Sequence, residues 1–186
     1  GEVLLRRQGA ARLSVREVAA KAGVNLGMFI YHFGNKNEFI RQILQRIYAE
    51  FLEDLERMAG EKGLEAVLFR MAVFSRDNSR VILALLGDVL SREKTVLTFL
   101  KKNFTAHFSV LRGAIERHCH QKDLPLRDPD HAFRYLVGAA GIPNLLLAAI
   151  PPSIRPTPDS DESLRKRVKA AIAGLEVLLD GRFPAA

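Results

Sequence analysis

The 186-residue chain has one cysteine, Cys119, and no tryptophan. A lone thiol excludes an internal disulfide framework and points to a reducing compartment. Strand-like alternation, internal repeats and low-complexity tracts are also missing, so an all-α protein is expected rather than a sheet or an array. Long apolar runs are scarce. The longest, Tyr135 to Ile150 (YLVGAAGIPNLLLAAI), spans sixteen residues and is interrupted by Pro143 and Asn144. A membrane helix needs about 18 or more without such breaks, so this run reads as a buried helix. Val3-Leu4-Leu5 is too short for the apolar part of a signal peptide, and a cytoplasmic location is expected.

Catalytic patterns are missing too. No glycine-rich phosphate loop, nucleophile elbow or paired-carboxylate pattern stands out, so no enzyme and no cofactor is expected. His107, His118, Cys119, His120 and His131 invite a metal. On a helix, however, His118 and His120 point about 200° apart and His107 lies about 16 Å from His118, so one ion cannot collect them. No metal site is expected.

What is present is a helical composition, 48% hydrophobic and 26% charged, with an uneven charge of +7. Residues 1–46 hold eight bases (Arg6, Arg7, Arg12, Arg16, Lys21, Lys36, Arg41, Arg46) against three acids (Glu2, Glu17, Glu38). The other 140 residues carry 20 bases and 18 acids, so most of the positive charge sits at the N-terminal end. A basic head on a near-neutral body fits a polyanion, either nucleic acid or an anionic membrane surface.

Helix signals are dense in that head. Ser14-Val15-Arg16-Glu17 matches the S-x-x-E capping box, which predicts a helix from Val15 with the serine hydroxyl on the third amide. Val18, Ala19 and Ala22 would face inward, and Gly23 would end the helix in a left-handed turn. Asn25 is suited to cap a second short helix from Leu26 to Phe33, which Gly34-Asn35 breaks. Two short helices joined through a glycine describe a helix-turn-helix. Asn35-Lys36-Asn37-Glu38 repeats the capping signature and opens a long helix with Phe39, Ile43, Ile47, Phe51 and Leu55 along one face. Further helices are predicted over about 64–76, 79–93, 96–121, 130–150 and 161–180, with a proline-rich loop over 151–161.

The stretch GVNLGMFIYHF raises the functional question. At about 100° per residue Phe29 and Phe33 share one side and would pack on Val18, Ala22 and Val24. Leu26, Gly27, Met28, Tyr31 and His32 are left for the outer surface, and an exposed Met and Tyr call for a partner.

At these residues the chain resembles a known family. SVREVAAKAGVNLGMFIYHFGNKNEFI is similar to the DNA-binding segment of TetR (tetracycline-repressor-like) transcriptional regulators, whose signature runs roughly S-x-x-x-[IV]-A-x-x-[AL]-G-V-x-x-x-x-[LF]-Y-x-[HY]-F-x-x-K. The likeness is specific over 14–44; beyond it, length, helicity and helix order agree. It implies a DNA-binding domain over 1–46 and a helical ligand-binding and dimerisation domain over 47–186. Ser14 and Arg16 would lie near phosphate. Asn25, Leu26, Gly27 and Met28 would lead a recognition helix into the major groove, and Tyr31, His32 and Lys36 would clamp the backbone. Hydroxyl, imidazole, ammonium and free helix amides suit phosphate oxygens.

Two departures stand out: the family usually carries tyrosine where this chain has Ile30 and often threonine where it has Met28. Leu26 and Met28 lack the paired donors and acceptors that read guanine or adenine, so recognition is expected to use thymine methyl groups, Asn25, phosphate geometry and DNA shape. Only about ten residues precede Leu13, so the first helix is short or starts before Gly1.

For the remainder the resemblance implies a homodimer paired through the last two long helices, 133–150 and 164–179, and a small apolar or amphipathic inducer between helices. Phe69, Phe74, Phe104, His107 and Phe108 are the candidate lining, and ordinary core packing is the alternative for each. The overall expectation is a ligand-responsive regulator, a repressor binding a pseudo-palindromic operator. Two other classes fit the composition: an architectural or nonspecific DNA-binding protein, and a small-molecule-binding helical protein with a vestigial head.

Overall fold

The capping residues that punctuate the head also set its helices in space. A computed structural model describes residues 1–90, 92, 94–151 and 153–181, with the backbone alone for residues 6, 8–11, 88, 94–96, 102 and 104. In chain order the described helices are α1 (Glu2–Arg12), α2 (Val15–Ala22), α3 (Leu26–Phe33), α4 (Lys36–Glu61), α5 (Gly63–Asp77), α6 (Ser79–Leu90), α7 (Lys94–Gln121), α8 (Pro129–Ala140), α9 (Ile142–Ala149) and α10 (Asp161–Leu179). No strand occurs among the described residues, so the fold is all-α as expected.

Asn25 and Asn35 both cap through their side chains: each Oδ1 accepts from a backbone amide three residues on, Met28 at 2.8 Å and Glu38 at 2.9 Å. Ser14 behaves differently. α2 starts where the capping box predicts, but the Ser14 hydroxyl makes no cap bond. The first turn is closed instead by the Ser14 carbonyl, which accepts from the Val18 amide at 3.0 Å. The side chain is exposed, so water competes for its hydroxyl.

Two compact units make up the chain: Gly1–Phe51 with Arg80–Asn103, and Leu52–Ser79 with Phe104–Ala186. The first holds the head. Leu4 and Leu5 from α1, Leu13 just after it, Val18 and Ala19 from α2, Phe29 from α3, and Phe39 and Ile43 from α4 are all buried. The Phe29, Phe33 and Phe39 rings form a triangle with centroids 4.8 to 5.0 Å apart, which fixes α3 on the start of α4. Lower in this unit, Tyr48 donates its hydroxyl to the Asn103 carbonyl, and Gln45 donates to Asn103 Oδ1 at 3.3 Å.

In the second unit α10 packs on α5 and α8, and α9 packs on α5 and α8. Leu64, Val67 and Leu68 of α5, Leu136 of α8, and Leu164, Val168 and Leu175 of α10 are buried there. The apolar run that the sequence reading extends as one helix to residue 150 is broken at Gly141 into α8 and α9, with a bend of 40°. Pro143 explains the break, since it lacks an amide hydrogen and its ring would meet the carbonyl four residues back. No single described helix is long and apolar enough to cross a membrane; the bent pair α8 and α9 passes by length and composition only.

Candidate nucleic-acid interface

Helices α2 and α3 contact one another across a turn centred on Gly23. Its φ of +68° lies in the left-handed region, which a side chain would strain. The turn leads directly to Asn25, whose side chain is spent on the Met28 amide. Gly27, two residues into α3, leaves bare backbone at the helix start; a Cβ there would come within 3.2 Å of Asn25 Oδ1.

Burial divides α3 cleanly. Phe29 is buried and Phe33 half-buried, whereas Leu26, Met28, Ile30 and Tyr31 are 40%, 46%, 52% and 86% exposed. Four large apolar or amphipathic side chains on an eight-residue helix form an outer face without full cover among the described residues. Two inferences change here. Ala22 is exposed and does not join the inward set, because α2 is short and ends there. Ile30 proves to be part of the outer face: it follows Leu26 by four residues, so the two sit side by side on the helix. In the sequence Ile30 stands out only as a departure from tyrosine, and its spacing from Leu26 is the signal that places it on this face.

Ser14, Arg16, Asn25, Gly27 and His32 are also exposed, and Lys36 is half-buried at the first turn of α4. The Tyr31 and His32 rings lie edge to face, 5.3 Å between centroids. Each acid of the head is matched by a base: Glu2 with Arg46 at 3.2 Å, Glu17 with Lys21 at 3.8 Å, and Glu38 with Arg41 at 2.5 Å. Hydrogen bonds from Arg41 and then Gln42 hold the Glu38 carboxyl down to about 2. Eight bases against three acids still leave the head positive. Apolar groups with a capped helix N-terminus, flanked by hydroxyl, imidazole and cationic donors, are chemically suited to a groove edged by phosphates.

The candidate ligand residues lie on α5 and α7. His107 is buried with its ring 4.3 Å from Phe108, which in turn meets Phe133 edge to face at 4.9 Å. Phe69 carries the Arg165 guanidinium over its ring at 3.9 Å, and Phe74 is half-buried. The side chain of Phe104 lies outside the described residues. Sequence reading missed a polar cluster in the same unit, Ser75, Asn144 and Arg167, joined by hydrogen bonds. Asn144 inside an otherwise apolar run was the one cue to it.

Comparison with known proteins agrees with this geometry. Residues 1–43 match the family model described as bacterial regulatory proteins, tetR family. No curated protein sequence matches the chain. Solved structures share the fold over nearly the whole length. A protein from Mesorhizobium loti MAFF303099 described as a TetR-family transcriptional regulator aligns with a TM-score of 0.74 at 14% identity, covering 95% of this chain and 91% of that one. A TetR transcription regulator from Haloarcula marismortui ATCC 43049 gives 0.68 at 17% identity, covering 94% and 91%. FadR of Thermus thermophilus, a TetR-family transcriptional repressor solved with lauroyl-CoA, gives 0.55 at 16% identity, covering 99% and 92%. Residues 1–43 thus match the tetR-family model, and the chain as a whole shares the fold of these solved regulators.

Proposed function

We propose that this protein is a ligand-responsive transcriptional repressor that binds a pseudo-palindromic operator as a homodimer. The observation that carries the reading is the outer face of α3, where Leu26, Met28, Ile30 and Tyr31 stand exposed on a helix whose inner side is locked by Phe29 and Phe39. Residues 1–46 act as the DNA-binding domain and residues 47–186 as the ligand-binding and dimerisation domain. Asn25, Leu26, Gly27 and Met28 enter the major groove, while Ser14, Arg16, Tyr31, His32 and Lys36 meet phosphates. Leu26 and Ile30 offer methyl groups to thymine rather than hydrogen bonds to purines.

Two such heads, paired through the last long helices, reach half-sites one or more helical turns apart. An amphipathic ligand binding the 47–186 segment favours one arrangement of the heads. Because it binds the two states unequally, it lowers DNA affinity by the same factor by which DNA opposes the ligand. The lauroyl-CoA bound by the similarly folded FadR supports a ligand of that character. The regulator acts in the cytoplasm, and none of its steps uses a metal or cofactor.

Selection of bound sequences from random duplexes tests this directly. A two-fold-symmetric winner that beats scrambled DNA by roughly 10³ or more is expected. Uniform weak binding would instead indicate an architectural protein, and no salt-dependent binding a vestigial head.

A further inference from the structure

The second unit holds a buried polar cluster that neither its apolar packing nor DNA binding requires. Asn144 of α9 is 4% exposed. Its Nδ2 donates to the Ala72 carbonyl and to Ser75 Oγ on α5, both at 2.9 Å. Its Oδ1 accepts from Arg167 Nη2 of α10, also at 2.9 Å. With its two strongest donor bonds spent on α5, Asn144 presents an oxygen in one fixed direction, and that oxygen orients the guanidinium.

Arg167 Nη2 also donates to Asp159 Oδ2, from the loop that precedes α10. The adjacent Nε is buried and has no hydrogen-bond partner among the described residues. Asp159 is held a second time through its backbone: Arg76 Nη1 donates to the Asp159 carbonyl at 3.0 Å and to Asp161 Oδ1 at 2.7 Å. The Arg167 and Asp159 side chains are 22% and 29% exposed, so this end of the cluster reaches solvent while Asn144 does not.

A guanidinium offers Nε and Nη2 as a parallel fork that matches the two oxygens of one carboxylate. Asp159, restrained at its own carbonyl by Arg76, takes only the Nη2 arm and leaves a buried donor unmade, which is costly. A free carboxylate has no such tether. We infer that Arg167 is the anchor of a carboxylate-binding site in this unit, held in the unliganded protein by Asp159, which a small organic acid displaces to engage both arms of the fork. Occupancy frees the loop before α10 from one of its two arginine contacts. This names the chemical class of the effector, and to that extent it rests on the reading of 47–186 as the ligand-binding domain.

Isothermal titration of the full chain with octanoate and benzoate, against octanamide and benzamide, tests the site. The amides keep size and shape and remove the charge. Both acids are expected to bind at least about tenfold more tightly than their amides, the scale of a hydrogen bond to a charged group. Asp159→Asn weakens the internal rival and should tighten the acids by about tenfold, whereas Arg167→Lys keeps the charge but lacks the fork and should weaken them by about as much. Asp159 lies in a loop, so its variant remains informative if changes at Arg167 disturb folding. Equal affinity for acids and amides, or no binding to either the parent or Asp159→Asn, would overturn the site. Acid binding that leaves operator affinity unchanged would uphold the site and remove the effector role of residues 47–186.

Discussion

The Tyr135 hydroxyl of α8 fills the space that a Cβ on Gly174 of α10 would occupy. This contact explains why a glycine sits inside a long helix, where it ordinarily costs about 1 kcal/mol relative to alanine. Gly174→Ala gains that propensity but forces an aromatic ring out of place, and overpacking typically costs about 1–3 kcal/mol. A net loss of about 1 kcal/mol is expected from the urea midpoint. In a Tyr135→Phe background the same substitution should be neutral or stabilising, because the obstructing oxygen is gone. Identical effects in both backgrounds would show that the Tyr135 hydroxyl is not the obstruction.

Removal of the cap on α3 has a separate signature. Asn25→Ala deletes the acceptor for the Met28 amide and should destabilise the protein by about 1 kcal/mol. Asn25→Asp and Asn25→Ser keep an acceptor and should retain most of it. Ser14→Ala is the internal control: its hydroxyl makes no cap bond, so little change is expected from the same denaturation measurement.

Contact type should separate variants in DNA binding. Lys36→Ala and His32→Ala are expected to weaken all sequences alike and to reduce the slope of log affinity against log salt, by about 1 for the lysine. Met28→Ala and Ile30→Ala should change which sequence is preferred. Replacing thymine by deoxyuridine in the selected half-site removes the methyl group and should weaken the parent protein but not Ile30→Ala. An unchanged salt slope for Lys36→Ala would remove that residue from the phosphate contacts.

Acid should undo an ion cluster in the second unit. Glu176 accepts from Lys122 Nζ at 2.7 Å and from His118 Nε2 at 2.9 Å, and the Lys122 hydrogen bond is the main cause that holds its carboxyl below the ordinary value of 4.5. A carboxylate with a depressed folded pKa contributes stability that is complete above its unfolded value and is lost as pH falls through the folded one. The parent protein should therefore lose stability relative to Glu176→Gln below about pH 4.5, with the two converging in stronger acid. Parallel urea midpoints across that window would show that Glu176 contributes nothing to the acid limb.

The head was legible in the chain because its signals are local. Asn25 and Asn35 cap within three residues, Gly23 and Gly34 turn the backbone at their own positions, and Phe29 and Phe33 sit four apart on one helix. Asn103 beneath Tyr48 was not legible, since 55 residues separate the pair. Nor was the cluster of Ser75, Asn144 and Arg167, three polar residues from three helices with no shared periodicity. The break at Gly141 is signalled by Pro143, which the apolar character of the run masks.

The amino-acid sequence by itself determined the helical class, the helix-turn-helix and all of its outer face except Ile30, because capping, turn formation and amphipathic spacing act over one to four positions. Tertiary structure alone decided which polar groups meet across helices, which glycine yields to a neighbouring ring, and how Arg167 is presented to Asp159. Those outcomes depend on how distant segments pack, and burial makes an unmatched polar group or an extra methyl group expensive only after that packing exists.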